Sequence, residues 1–88
     1  MRLLILYRPN SEHGRLIDEF VHEYRIRNQT DKIELVSIDS REGIATATLY
    51  DIVQYPAILV IKSDGYVQKI WQGTELPLMD EVASYVNA

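Results

Sequence analysis

Residues 50–62 read Tyr-Asp-Ile-Val-Gln-Tyr-Pro-Ala-Ile-Leu-Val-Ile-Lys, and the fold turns on how that stretch divides. Tyr55-Pro56 stops any helix that precedes it, because proline has no N–H to continue one and pushes its predecessor toward extended backbone. Ala57 to Lys62 is then apolar and β-branched, the pattern of a strand covered on both faces. Ser63-Asp64-Gly65 follows as a tight turn with a glycine free to take a positive φ. Tyr66 to Gln72 is the return strand of a hairpin, ended by Gly73. Strict alternation puts Val67, Lys69 and Trp71 on one face of that strand and Tyr66, Gln68, Ile70 and Gln72 on the other. Trp71 is then expected either under a terminal helix or half-exposed beside Lys69. Pro77 suits the first turn of a last helix, on which Leu78, Met79, Val82 and Val86 share a face.

Upstream, Leu3 to Tyr7 is an apolar run closed by Arg8-Pro9-Asn10. It reads as a buried central strand rather than a signal peptide, since it is short and no small-residue cleavage site follows. Asn10 or Ser11 caps a helix whose apolar stripe is Leu16, Ile17, Phe20, Val21 and Tyr24, and Asn28-Gln29-Thr30-Asp31 ends it. Ile33 to Asp39 alternates as a second strand, and Asp39 with Glu42 resembles a capping box opening a short second helix. The apolar pattern of that helix, Ile44, Ala47, Leu49 and Ile52, is poor. The element order is βαβ-α-ββα: one α/β domain over residues 1–88, with a four-stranded mixed sheet flanked by three helices.

Composition narrows function by exclusion. The chain has 88 residues, a net charge of −4 and no cysteine. A chain of this size buries roughly 60–65% of its unfolded surface, enough to fold without disulfides or metal. Without cysteine there is no disulfide framework, thiolate metal site or thiol catalysis. The acidic balance argues against nucleic acid, whose binding rests on neutralising phosphate with a basic surface. Charge is spread, with seven basic and eight acidic side chains in residues 1–44 and two and five in residues 45–88. No segment approaches the ~18–20 apolar residues of a membrane span, so a cytoplasmic protein that binds no membrane is the expectation.

Order and spacing resemble the minimal thioredoxin fold over essentially the whole chain. The strongest local match is Tyr50-Asp51-Ile52-Val53-Gln54-Tyr55-Pro56-Ala57, which is similar to the Tyr-Gly-Ile/Val-x-x-Ile/Val-Pro-Thr segment of thioredoxins. The resemblance implies that Pro56 is cis and faces the position of the redox motif. That position holds Ser11-Glu12-His13-Gly14 in place of Cys-x-x-Cys, with Ser11 at the first cysteine and Gly14 at the second. The buried acid–lysine pair of thioredoxins aligns with Ile5 and Leu35, so the supporting charges are missing along with the thiols. Such a scaffold implies no thiol–disulfide exchange, because the thiolate is the required nucleophile.

The remaining candidates are few. Ser11 at a helix N-terminus could hold glutathione or another small anion, as a serine near this place does in some glutathione transferases, but capping is the simpler role. His13 lies on the first helical turn and is not obviously aimed back toward Ser11. His13 and His22 sit about 180° apart on a helix and cannot share a metal. Glu19-x-x-His22 lies on a polar face with ion pairs such as Glu23–Arg27, so no catalytic residue, metal ligand or cofactor is assigned. Pro56 carries the firmer implication. In the family the backbone before the cis-proline pairs with extended partners, which gives Tyr55 that backbone and places its ring beside Ser11 and His13. The expected activity is therefore protein or peptide binding through Ser11, His13, Tyr55 and Pro56. The alternatives are an anion-binding protein and a dimerisation unit; the expected state is a monomer or weak homodimer, with strand edges open to addition.

Overall fold

The computed structural model describes residues 2–28, 32–73 and 75–86. Its elements are β1 (Arg2–Tyr7), α1 (Glu12–Arg27), β2 (Lys32–Ser37), α2 (Arg41–Leu49), β3 (Ala57–Ile61), β4 (Val67–Gln72) and α3 (Met79–Val86). The four strands form one sheet in the order β2-β1-β3-β4. β1 runs parallel to β2 with Ile5 beside Leu35, and antiparallel to β3 with Leu6 beside Ala57. β3 and β4 form the antiparallel hairpin.

The two apolar runs take the two central places because only there are both faces covered. Leu3, Ile5 and Tyr7 of β1 and Ile58 and Val60 of β3 pack with α1 and α3 through Ile17, Phe20, Val21, Tyr24, Val82 and Val86. Leu4 and Leu6, with Ala57, Leu59 and Ile61, face the other way and meet Val36 and Ile52 on the α2 side. Period-2 alternation in two short strands thus supplies both cores at once. Leu16 departs from the expected stripe and is exposed, because Ile17, Phe20, Val21 and Tyr24 already fill the face turned to the sheet. On α2, Ile44 and Leu49 are exposed as well, and Gly43 is the residue of that helix that is buried.

The hairpin corrects one expectation. A register shift between Val60 and Ile61 pairs Lys69 with Val60 but Val67 with Ile61, leaving Gln68 as the extra residue. Such a bulge breaks alternation. Val67 therefore joins Ile70 on the α2 side instead of sharing a face with Lys69 and Trp71. Trp71 packs under α3, edge-on to Tyr85 with centroids 5.5 Å apart, and its indole N–H donates to Glu81 at 3.0 Å. The last helix begins at Met79, two residues after Pro77, and Leu78 stands 78% exposed outside the shared face.

Two further local expectations change. Ser40, not Asp39, caps α2, accepting from the Gly43 N–H at 2.9 Å. The i,i+4 ion pair found on α1 is Arg15–Glu19 at 3.8 Å rather than Glu23–Arg27. Both its side chains are largely exposed, where such pairs contribute little.

Candidate functional site

β1 and β2 end side by side, and each feeds a helix that starts in the same way. Ser11 Oγ donates to the Arg8 carbonyl at 2.6 Å and accepts from the Gly14 N–H at 3.2 Å. Ser40 Oγ donates to the Ser37 carbonyl at 2.7 Å and accepts from the Gly43 N–H at 2.9 Å. Ser11-Glu12-His13-Gly14 and Ser40-Arg41-Glu42-Gly43 are thus one local device used twice: a serine cap that also ties the helix back to the strand end. The glycines complete it. A β-carbon on Gly14 would lie 2.6 Å from the Arg8 carbonyl oxygen and closer still to that of Pro9, and one on Gly43 would run into the Ser37 carbonyl. Position 14 therefore has no space for a side chain unless the loop shifts.

His13 engages the loop before the helix rather than Ser11. Its Nε2 accepts the Arg8 backbone N–H at 3.0 Å. The Arg8 guanidinium crosses to Asp39, with Nε 3.3 Å from Oδ2 and Nη2 3.4 Å from Oδ1. Both partners are exposed. At this helix start the Ser11 hydroxyl, the Gly14 N–H and His13 Nε2 all bond within the loop. Among the described residues no group of three or more His, Asp or Glu side chains converges as a metal site, and no helix is long and apolar enough to cross a membrane.

The Tyr55-Pro56 segment lies at the same end of the sheet, since Leu6 pairs with Ala57 and both chains continue past that pair. The peptide bond between Tyr55 and Pro56 is cis, and Pro56 is buried. Gln72 at the end of β4 and Gly73 just after it brace the segment. Gln72 Oε1 accepts from Val53 N at 3.0 Å and Gln54 N at 3.2 Å, and Gly73 N donates to the Pro56 carbonyl at 3.0 Å. Among the described residues, no hydrogen bond engages the N–H or carbonyl of Tyr55 itself.

The Tyr55 ring packs on the α2 side of the sheet, against the cluster of Leu4, Leu6 and Ile52, and among the described residues no hydrogen bond or ring contact joins it to Ser11 or His13. The cause is alternation: Ala57, Leu59 and Ile61 face α2, and the turn at Pro56 sends Tyr55 to that face too. There the ring lines a shallow groove of ≈ 370 Å³ with Ile38, Ile44, Ala47 and Val53, and Asp51 on its wall.

Asp51 is the residue that sequence reading passed over. At φ 55 it is the one non-glycine with positive φ among the described residues. It closes α2: Ile52 N donates to Ala47 O at 2.9 Å and Asp51 N to Thr48 O at 3.4 Å, a Schellman pair that satisfies the last carbonyls. The glycine of the Tyr-Gly-Ile segment would have marked this position, since glycine takes αL without cost.

Two solved structures share this architecture. Thioredoxin 1 from the thermophilic eubacterium Thermosipho africanus superposes with a TM-score of 0.71 at 10% identity, over 99% of this chain and 91% of that one. A malarial protein superposes with a TM-score of 0.72 at 9% identity, over 99% and 96% of the two chains. No protein-family model matches the sequence, and no curated protein matches it either. At such identity the likeness speaks for the fold, and it does so over nearly the whole length: the chain has a thioredoxin-like fold.

Proposed function

We propose that this chain is a redox-inactive thioredoxin-like module that binds an extended segment of a protein partner at the Tyr55-Pro56 end of its sheet. The observation that carries the reading is the free backbone of Tyr55, held in place by Gln72 and Gly73 yet engaged by no hydrogen bond among the described residues. A fixed, unpaired N–H and C=O at a strand end is what an added strand needs, since its main-chain bonds supply affinity without remodelling the site. Redox inactivity follows from composition: with no cysteine in the chain there is no thiolate to attack a disulfide.

Retention of glutathione or a small anion at Ser11 finds less support. The hydroxyl there both donates and accepts within the loop, as Ser40 does at a helix with no counterpart of the redox motif. The test is an amide NMR titration with a panel of extended peptides, alongside glutathione and insulin-reduction controls. Shifts centred on Tyr55 and Ala57, with no insulin turnover above buffer, are expected. A response to glutathione centred on Ser11, or self-association as the sole response, would replace this reading.

A further inference from the structure

We infer that the segment received at Tyr55 carries a large apolar residue with a lysine or arginine two positions away. The apolar side chain enters the groove between α2 and the Tyr55 loop, and the cation pairs with Asp51. The inference rests on the reading of Tyr55 as a strand-addition site and specifies what is added.

Three observations converge on the groove. Its walls are apolar, with Ile38, Ala47 and Tyr55 half-buried, and the exposed rim carries Ile44 at 58% and Val53 at 79%. Exposed aliphatic side chains gathered on one depression mark interaction surfaces more often than isolated ones do. The groove is continuous with the unpaired backbone, because Tyr55 belongs to both.

The second observation is charge. Asp51 is exposed and makes no salt bridge among the described residues, and the last turn of α2 contains no basic side chain. The carboxylate therefore adds to the negative end of the α2 dipole. That field selects a cation over an anion.

The third is that local stability argues against the carboxylate. A left-handed conformation favours glycine over aspartate, and a negative charge at a helix C-terminus is repelled by the dipole. A residue that stands against two local preferences at the edge of an apolar groove fits a role in recognition. Spacing then follows from the strand. Residues i and i+2 of an added strand share a face and stand about 6.6 Å apart, which sets the apolar residue and the cation on the α2 side together.

The experiment compares short extended peptides of the pattern Leu-x-Lys, Leu-x-Glu and Ala-x-Lys, read by amide and methyl NMR at low and high salt. Leu-x-Lys is expected to bind about fivefold more tightly than Leu-x-Glu at low salt, as an exposed charge pair allows. That preference should shrink with salt and vanish in Asp51→Asn, which keeps a residue tolerant of αL. Leu-x-Lys should also shift the methyls of Ile44 and Val53 where Ala-x-Lys does not. If all peptides perturb Tyr55 equally, or the preference survives Asp51→Asn, this inference fails while strand addition stands. If no peptide perturbs Tyr55, both fail. Concentration-dependent shifts of Ile44 and Val53 without peptide would assign the groove to a second copy of the chain and overturn the inference.

Discussion

The carbonyl oxygen of Arg8 lies 2.6 Å from the point that a β-carbon on Gly14 would occupy. This contact, with that of Pro9 beside it, leaves position 14 filled by the backbone of its own loop. Gly14→Ala is therefore expected to destabilise the fold by about 1–3 kcal/mol, the range for forcing an extra carbon into a filled space. Ser11→Cys/Gly14→Cys should fold less stably still and leave insulin reduction at the buffer rate. Urea denaturation and a turbidity assay check the two halves; a stable, active double variant would show that the loop can move aside.

Asp51→Gly should raise stability by about 0.5–1 kcal/mol, since it removes αL strain at a turn already closed by Ile52 and Ala47. Removing the charge from the α2 C-terminus acts in the same direction. Urea midpoints give the answer. A loss of stability would mean that the carboxylate holds the turn.

Ser11→Ala and Ser40→Ala are each expected to cost about 1 kcal/mol, because the two hydroxyls make matching pairs of bonds. Neither should change peptide binding at Tyr55. A much larger effect on binding at Ser11 than at Ser40 would restore a functional role to the first.

Gln72→Leu removes the acceptor shared by Val53 and Gln54 and should loosen the loop that presents Tyr55. The N–H groups are solvent-exposed, so the expected loss of stability is no more than about 1 kcal/mol. The clearer readout is hydrogen exchange, which should quicken at those two amides while β3 stays protected.

Tyr7 predicts the alkaline limb of stability. Burial, with a smaller contribution from the negative charge of Asp18, raises its phenol above the ordinary value. The unfolded chain therefore loses this proton first as pH rises. Tyr7's contribution is fully present below the ordinary phenol range and declines through it until the folded phenol also ionises. Subtracting the pH profile of Tyr7→Phe isolates the effect from the other tyrosines. A difference profile that stays flat above pH ~10 would refute the assignment.

Much of the architecture was legible in order and alternation. Leu3 to Tyr7 and Ala57 to Ile61 had to be central strands because each is apolar on both faces, and an element of each kind beside them leaves little topological freedom. The start of α1 was legible too, since Ser11 can act as a cap without reference to anything distant, whereas α2 is capped by Ser40, one residue past the expected Asp39. What misled was register. A pattern of two cannot reveal that Gln68 is a bulge, so Val67 was assigned to the wrong face.

The site divides in the same way. The lack of a thiol belongs to composition, and no arrangement of the chain can supply one. Tertiary structure alone decided that position 14 has no room, because the carbonyls that fill it come from the loop folding back. It alone sent the Tyr55 ring toward α2, left the Tyr55 backbone without a partner among the described residues, and put Asp51 into a left-handed turn. Local preference follows from each residue and its neighbours. Close approach, pairing and facing depend on how the chain folds back, over a few residues at position 14 and across the whole sheet at Tyr55.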